Sequence, residues 1–234
     1  MKKTITYREA LGEGLRYAFQ NDPRVFMMGE DIGKYGGPYG VTKGFIDEFG
    51  EDRIRDAPLS ESGFTGAGIG AALNGMRPIV EIMTVNFSLL ALDQIINTAA
   101  SLRHMSGGQF SVPIVIRMTT AWDASSRHST RTASRAGTSS YSGIALGAVE
   151  RARRARHVLW SALKDPDPVL IFSSTRCCSR KHKRSMRRRR GRSDRAAVLR
   201  EGQDVSLICY GGMVPRTPAA QNSKPPASRP RSLT

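Results

Sequence analysis

Asp56–Phe87, DAPLSESGFTGAGIGAALNGMRPIVEIMTVNF, is the stretch whose reading decides the fold. It joins a lone carboxylate, Glu61, to a run of small residues and then to an apolar strand. Gly63–Gly75 mixes small and aliphatic positions, with Gly66, Ala67, Gly68, Gly70, Ala71 and Ala72. A helix so small-sided lets another backbone or a ligand come close. Pro78–Met83 then reads as a strand.

The same alternation continues on either side. Upstream, Thr6 can cap a helix that places Ala10, Leu11, Leu15, Ala18 and Phe19 on one face, ended by Asn21–Arg24. Val25–Met28 is a short strand of the buried type, followed by the loop GEDIGKYGGPYG (29–40), and residues 41–50 predict a short helix stopped by Gly50. Downstream, the pattern predicts a helix over Phe87–Met105, carrying Leu90, Asp93, Gln94 and Asn97, and a strand over Val112–Met118. Apolar strands alternating with helices predict an α/β fold built on a doubly wound, mostly parallel sheet.

Charge divides the chain in two. Residues 1–118 carry 12 Lys and Arg against 13 Asp and Glu, whereas residues 119–234 carry 24 against 7. The first half has an ordinary globular composition and the second is a polycation. Cys177, Cys178 and Cys209 form neither a disulfide framework nor a zinc-ligand spacing, so a reducing, cytoplasmic setting is expected. The N-terminus lacks the apolar segment of a signal peptide, and no run is long enough to span a membrane.

Periodicity stops at Thr119. Residues 119–156 hold Ile144, Leu146 and Val149 as their whole complement of Ile, Leu, Val, Met and Phe, too few to build a core. Order returns as helix, turn and strand over 158–172, fails through the basic run 173–195, and returns over 196–212. The expected organisation is therefore a domain over 1–172 with 119–157 disordered, a basic linker over 173–195, and the start of a second α/β domain over 196–234.

The blocks TYREAL, MGEDIGKYGGPYGVTKGF, PLSESGF through NTAA, MSGGQ and VPIVIRM, then DPDPVLIF and REGQDVSLICYGG, cover about two thirds of the chain. They resemble the beta subunit of the thiamine-diphosphate-dependent decarboxylating component of 2-oxoacid dehydrogenase complexes, with pyruvate dehydrogenase the nearest fit. The resemblance implies that Glu61 hydrogen-bonds N1′ of the cofactor's aminopyrimidine and so activates it for attack on a 2-oxo acid. It implies that Phe87 packs on the pyrimidine ring and that Leu59 lines it. It also implies a monovalent cation, K⁺, held by backbone carbonyls near Ile114. No GDG motif for Mg²⁺ occurs, so the metal and the diphosphate anchor would come from an alpha subunit in an α2β2 assembly that serves a lipoyl acyltransferase core. Branched-chain 2-oxoacid and acetoin dehydrogenases share this architecture.

Each residue also has a plainer reading. Taken alone, Glu61 after Ser60 is a charge favoured at a helix N-terminus, and Leu59 and Phe87 are core residues. Glu30 reads as structural, and Asp93, Gln94 and Asn97 as either interface or solvated face. The glycines of 29–40 do not form a phosphate loop, because no helix-opening G-x-G-x-x-G follows a strand.

In the resembling family a Q-H-S…E-G-W-Y element follows the VPIVIRM strand, and its histidine handles substrate protons. This chain reads WDASSRHSTRTASRAGT (122–138) there. Permitted codons for these residues, read from the third base of the Trp122 codon, translate as G-R-K-L-A-A-Q-H-S-H-S-L-E-G-W. The expectation is a gene with compensating frameshifts near 119–157, 173–195 and after 213, and a chain short of its second domain by about 100 residues. His128 is then a coincidence of letters, and the chain is expected to be impaired or inactive. The competing reading takes RKHKRSMRRRRGR (180–192) as a polyanion- or nucleic-acid-binding run. It has no interleaved aromatics and no DNA-binding motif to support it.

Overall fold

The structure is a computed structural model that describes residues 4–120, 143–149, 152–174 and 181–183, with isolated positions at 198, 206 and 208. Strand β1 (Thr4–Thr6) runs into helix α1 (Tyr7–Asn21) through a capping box: Thr6 Oγ1 accepts from the Glu9 N–H, and the Glu9 carboxylate accepts from the Thr6 N–H. The buried face of α1 holds the apolar residues its 3.6-residue spacing predicts, Ala10, Leu11, Leu15, Ala18 and Phe19.

Six strands then build the main sheet: β2 (Val25–Gly29), β3 (Ile54–Asp56), β4 (Arg77–Ile82), β5 (Val115–Thr120), β6 (Ala145–Val149) and β7 (Val169–Ser174). Their order is β3-β2-β4-β5-β7-β6, and every neighbouring pair is parallel. Parallel neighbours require crossovers, which the helices supply. Helices α2 (Phe45–Phe49) and α3 (Glu61–Leu73) flank β3, and α5 (Ala152–Lys164) joins β6 to β7.

Side chains alternate along each strand, so successive residues feed two separate cores. On one face Val25, Met27, Ile79, Val115, Val169 and Ile171 pack with Leu11, Leu15 and Phe19 of α1, Phe45 of α2 and Leu159 of α5. On the other, Val80, Ile82, Ile116, Leu170 and Phe172 pack with Phe64 and Ile69 of α3 and with Ile95 and Ala99. Helices therefore cover both faces, as a doubly wound sheet requires. Among the described residues no helix is long and apolar enough to cross a membrane.

Two expectations need correction. Phe87–Met105 is not one helix. It divides into a 3₁₀ turn (Phe87–Leu89), a π-helical stretch (Gln94–Ala100) and α4 (Ser101–Met105). The turn is held where it is by the loop before it, whose Val85 N–H donates to the Thr119 carbonyl of β5 at 3.0 Å. Nor are 119–157 and 173–195 wholly without structure. Within the first, β6 forms the sheet edge and α5 begins at Ala152, with Ala155 fully buried against the α1 side. Within the second, β8 (Lys181–Lys183) pairs antiparallel with β1. An edge ladder is made of backbone hydrogen bonds, and one small buried residue suffices to seat a helix end, so neither needs the apolar residues these segments lack. Residues 121–142 lie outside the described residues.

Candidate functional site

The connection after β2 leads to β3 on one side, whereas that after β4 leads to β5 on the other. The loops leaving the carboxyl ends of β2 and β4 diverge, and in open α/β sheets such a switch point opens a crevice where ligands bind. Glu30 directly follows Gly29, the last residue of β2. The loop after β4 leads to Phe87, and α3 begins at Glu61.

Glu61 is 6% exposed, although it is the first residue of its helix. Ser60 stands at the N-cap but makes no capping bond to the helix with its side chain. The helix lies close on the sheet because of Gly68: a Cβ there would stand 2.7 Å from Val80 Cγ2 and 3.2 Å from Ile114 Cδ1. The small residues thus bring α3 down onto β4 and β5, and Gly66 admits the Gln94 side chain, whose Oε1 would be 3.2 Å from an added Cβ.

The structure brings Glu30, 5% exposed, into hydrogen-bonding contact with Glu61. Burial, then the Glu61 charge, then Asp31, then the hydrogen bond with Glu61 push the Glu30 carboxyl above the ordinary glutamate range. A buried carboxyl beside another cannot carry its charge cheaply, so Glu30 is suited to holding a proton next to Glu61. Glu30 Oε1 is buried with no hydrogen-bond partner among the described residues. The sequence predicts a structural role for Glu30; its place, a carboxylate directly after a buried parallel strand, is the feature that favours a ligand-facing one.

The other predicted residues divide. Leu59 is 84% exposed and Phe87 38%, so neither is a core residue here. Both are apolar groups open to solvent, Leu59 two residues before α3 and Phe87 at the start of the 3₁₀ turn after β4. Ile114 is fully buried, and its carbonyl accepts the Val169 N–H at 2.9 Å, which leaves one lone pair. Nearby, the Asp165 carbonyl accepts from Arg77 Nη1 at 3.2 Å, and Arg103 pairs with Asp167 at 2.6 Å. Asn97 donates to Asp93 at 2.7 Å on an exposed surface. Among the described residues no group of three or more His, Cys, Asp or Glu could hold a metal. His128 lies outside the described residues.

On the opposite face of the sheet, Glu81 of β4 and Arg117 of β5 stand directly across from each other and form a buried ion pair, with side chains 4% and 1% exposed. Gly29 is the Glu81 neighbour on β2, and the strands approach so closely that an added Cβ would collide with the Glu81 carbonyl.

Comparison with known proteins bears on this site. Residues 3–178 match the family described as transketolase, pyrimidine binding domain. The chain is 38% identical over 218 residues to the mitochondrial pyruvate dehydrogenase E1 component subunit beta-1 of Arabidopsis thaliana, covering 91% of this chain and 60% of that one. It is 44% identical over 174 residues to the mitochondrial beta-1 subunit of Oryza sativa subsp. japonica, covering 74% and 46%. The chain thus spans about half the length of these relatives. Among solved structures, a split-gene transketolase described as an inactive beta4 tetramer superposes with a TM-score of 0.59 at 18% identity, over 74% of this chain and 52% of that one. A 2-oxoglutarate:ferredoxin oxidoreductase from Magnetococcus marinus superposes with a TM-score of 0.55 at 15% identity, over 78% and 31%. With a doubly wound parallel sheet, a carboxyl pair at its switch point and a family match running from its first strand into the segment after β7, the chain belongs to the transketolase pyrimidine-binding domain family.

Proposed function

We propose that this chain supplies the aminopyrimidine side of a thiamine diphosphate site, as the beta subunit of a pyruvate-decarboxylating dehydrogenase. The observation that carries the proposal is Glu61: a carboxyl buried at the start of α3, beside a second carboxyl, in the crevice at the carboxyl ends of β2 and β4. The likeness to pyruvate dehydrogenase beta subunits supports the choice of substrate.

The residues present fit the group. A buried carboxyl is what N1′ of an aminopyrimidine needs to hold a proton at that nitrogen, and the exposed side chains of Phe87 and Leu59 offer apolar surface for its ring. When bound, thiamine diphosphate supplies the carbon nucleophile at which a 2-oxo acid loses carbon dioxide. Glu61 holds and moves the proton at N1′, a role typically worth about 10²–10⁴-fold in rate. Glu30 keeps a proton within reach of Glu61, and its burial keeps water from levelling the two.

The rest of the site belongs to an alpha subunit, in an α2β2 assembly. That subunit brings Mg²⁺ and the diphosphate anchor, and the acyl fragment passes to a lipoyl acyltransferase core. The free lone pair of the Ile114 carbonyl is available to a K⁺ ion. The proposal includes a reducing, cytoplasmic setting, in keeping with three cysteines of which two are adjacent. It also includes the frameshift reading, under which the chain as written is impaired and a frame-restored chain is active.

The test is reconstitution with a pyruvate dehydrogenase alpha subunit, using both the chain as written and a chain with 119–157, 173–195 and the residues after 213 restored to frame. Cofactor-dependent pyruvate decarboxylation is expected from the restored assembly, and Glu61→Gln should lower kcat about 10²–10⁴-fold. A folded, assembled α2β2 complex without that activity would overturn the proposal, as would a Glu61→Gln variant within threefold of wild type.

A further inference from the structure

One turn along α3 from Glu61 stands Thr65. Thr65 is fully buried on α3, and its hydroxyl has no hydrogen-bond partner among the described residues. Glu30 Oε1 is likewise buried and without a partner. Buried hydroxyls and carboxyl oxygens are nearly always satisfied, and where protein supplies no partner, an ordered water does.

Helix geometry puts both side chains along the seam between α3 and β2. Thr65 follows Glu61 by four residues, so it lies about 6 Å further along α3 on nearly the same side. Gly68 lies three residues beyond Thr65 and rests on β2, where a Cβ would be 3.8 Å from Met28 Sδ. Met28 is the penultimate residue of β2, and Glu30 follows the strand directly and meets α3 at Glu61. The helix thus touches β2 and its extension at two points, Gly68 on Met28 and Glu61 on Glu30. Thr65 lies between them, on the same buried side of the helix.

We propose that Thr65 is a positioning residue for the carboxyl pair, its hydroxyl holding Glu30 Oε1 through one buried water. Glu61, in contact with Glu30, gives that water a third polar neighbour, within the two to four such a water needs. The bridge fixes the orientation of Glu30 and turns its shared proton toward Glu61. The inference rests on reading Glu30 and Glu61 as one site, but it concerns the chain before any cofactor or partner is bound.

The charged groups facing Glu30 are Glu61 on α3 and Asp31 beside it in the loop. The test is carboxyl titration by carbon-13 NMR of the full chain labelled at glutamate side-chain carbons, with Glu30→Gln and Glu61→Gln assigning the signals. A donor on Oε1 favours the charged form, so removing it should strengthen proton binding. Thr65→Val is expected to tighten proton binding at Glu30 three- to tenfold, and Thr65→Ser to stay within threefold of wild type. Thr65→Ala, which removes the hydroxyl without adding bulk, serves if the valine variant does not fold. A hydroxyl-less variant whose Glu30 titration stays within threefold of wild type overturns the inference, as does a serine variant that shifts as far as valine. Because the readout involves no cofactor and no alpha subunit, failure of reconstitution would count against the proposed function and leave this result standing.

Discussion

The buried pair Glu81–Arg117 offers the sharpest test of how the sheet is held beneath its crevice. Both side chains are almost fully enclosed, and they face each other across the β4–β5 ladder in the middle of the sheet. Arg117→Met keeps much of the side-chain bulk but leaves the Glu81 carboxylate enclosed without its counter-charge. Breaking such a pair from one side typically costs about 3–5 kcal/mol, whereas replacing both partners by apolar residues is often neutral or stabilising. A domain of ordinary stability has about 5–15 kcal/mol to lose. With a urea dependence of about 2 kcal/mol per molar, the single variant should unfold at a midpoint lower by about 2 M. Glu81→Met/Arg117→Met should return to within about 1 kcal/mol of wild type. The assay is urea unfolding of the full chain followed by far-ultraviolet circular dichroism, with both single variants and the double variant completing a cycle. If Arg117→Met loses less than about 1 kcal/mol, or the double variant loses as much as the two singles together, the reasoning fails.

Other perturbations read different parts of the molecule. Glu30 binds its proton more tightly in the folded chain than the ordinary glutamate value of 4.5. The folded state therefore holds more protons than the unfolded one above that pH, and stability attributable to Glu30 falls as pH rises through its raised folded value. Relative to wild type, Glu30→Gln should gain stability over that window, with a slope no steeper than about 1.4 kcal/mol per pH unit. Unfolding curves from pH 4 to 8 would show it, and a constant difference across the range would contradict the burial assigned to Glu30. Thr6→Ala removes the oxygen that accepts the Glu9 N–H and should cost about 0.5–2 kcal/mol in thermal or urea unfolding. Gly29→Ala forces a Cβ into the Glu81 backbone, which cannot swing aside as a side-chain end would. It should destabilise by about 1–3 kcal/mol and shift the amide resonances of β4.

Periodicity made much of the frame legible. Helix α1, strands β2 and β4, the small-residue helix α3 and the final helix–turn–strand fall within a few residues of their expected places, because each carries its own repeat and its own punctuation. Phe87–Met105 was misread for a local reason. Its apolar residues suit any helical winding, and nothing in their spacing distinguishes an i→i+5 stretch from an ordinary one. Glu61 is legible as a candidate through the block around it, whereas its contact with Glu30 is not. Their contact joins residues far apart in the chain, and it is set by how α3 lies over β2 rather than by any pattern near either residue. Glu81 and Arg117 were invisible in the same way, since cross-strand register becomes readable only once the strand order is known. The edge strand β6 shows the converse case, a backbone ladder where the side chains predict nothing.

The place of β5 in the sheet has a consequence for synthesis on the ribosome. One of its neighbours, β4, precedes it in the chain, but the other, β7, comes much later: the Ser173 hydroxyl that bonds the Met118 carbonyl is 55 residues away. At about 5–20 residues per second, β5 emerges several seconds before the strand that covers its outer edge. During that interval Val115, Ile116 and Met118 end the nascent sheet with an open row of backbone donors and acceptors, a template for any strand nearby. Chaperone occupancy of the nascent chain should therefore peak between the release of β5 and the arrival of β7. Slower translation of the intervening codons would lengthen the exposure and lower the yield of soluble protein.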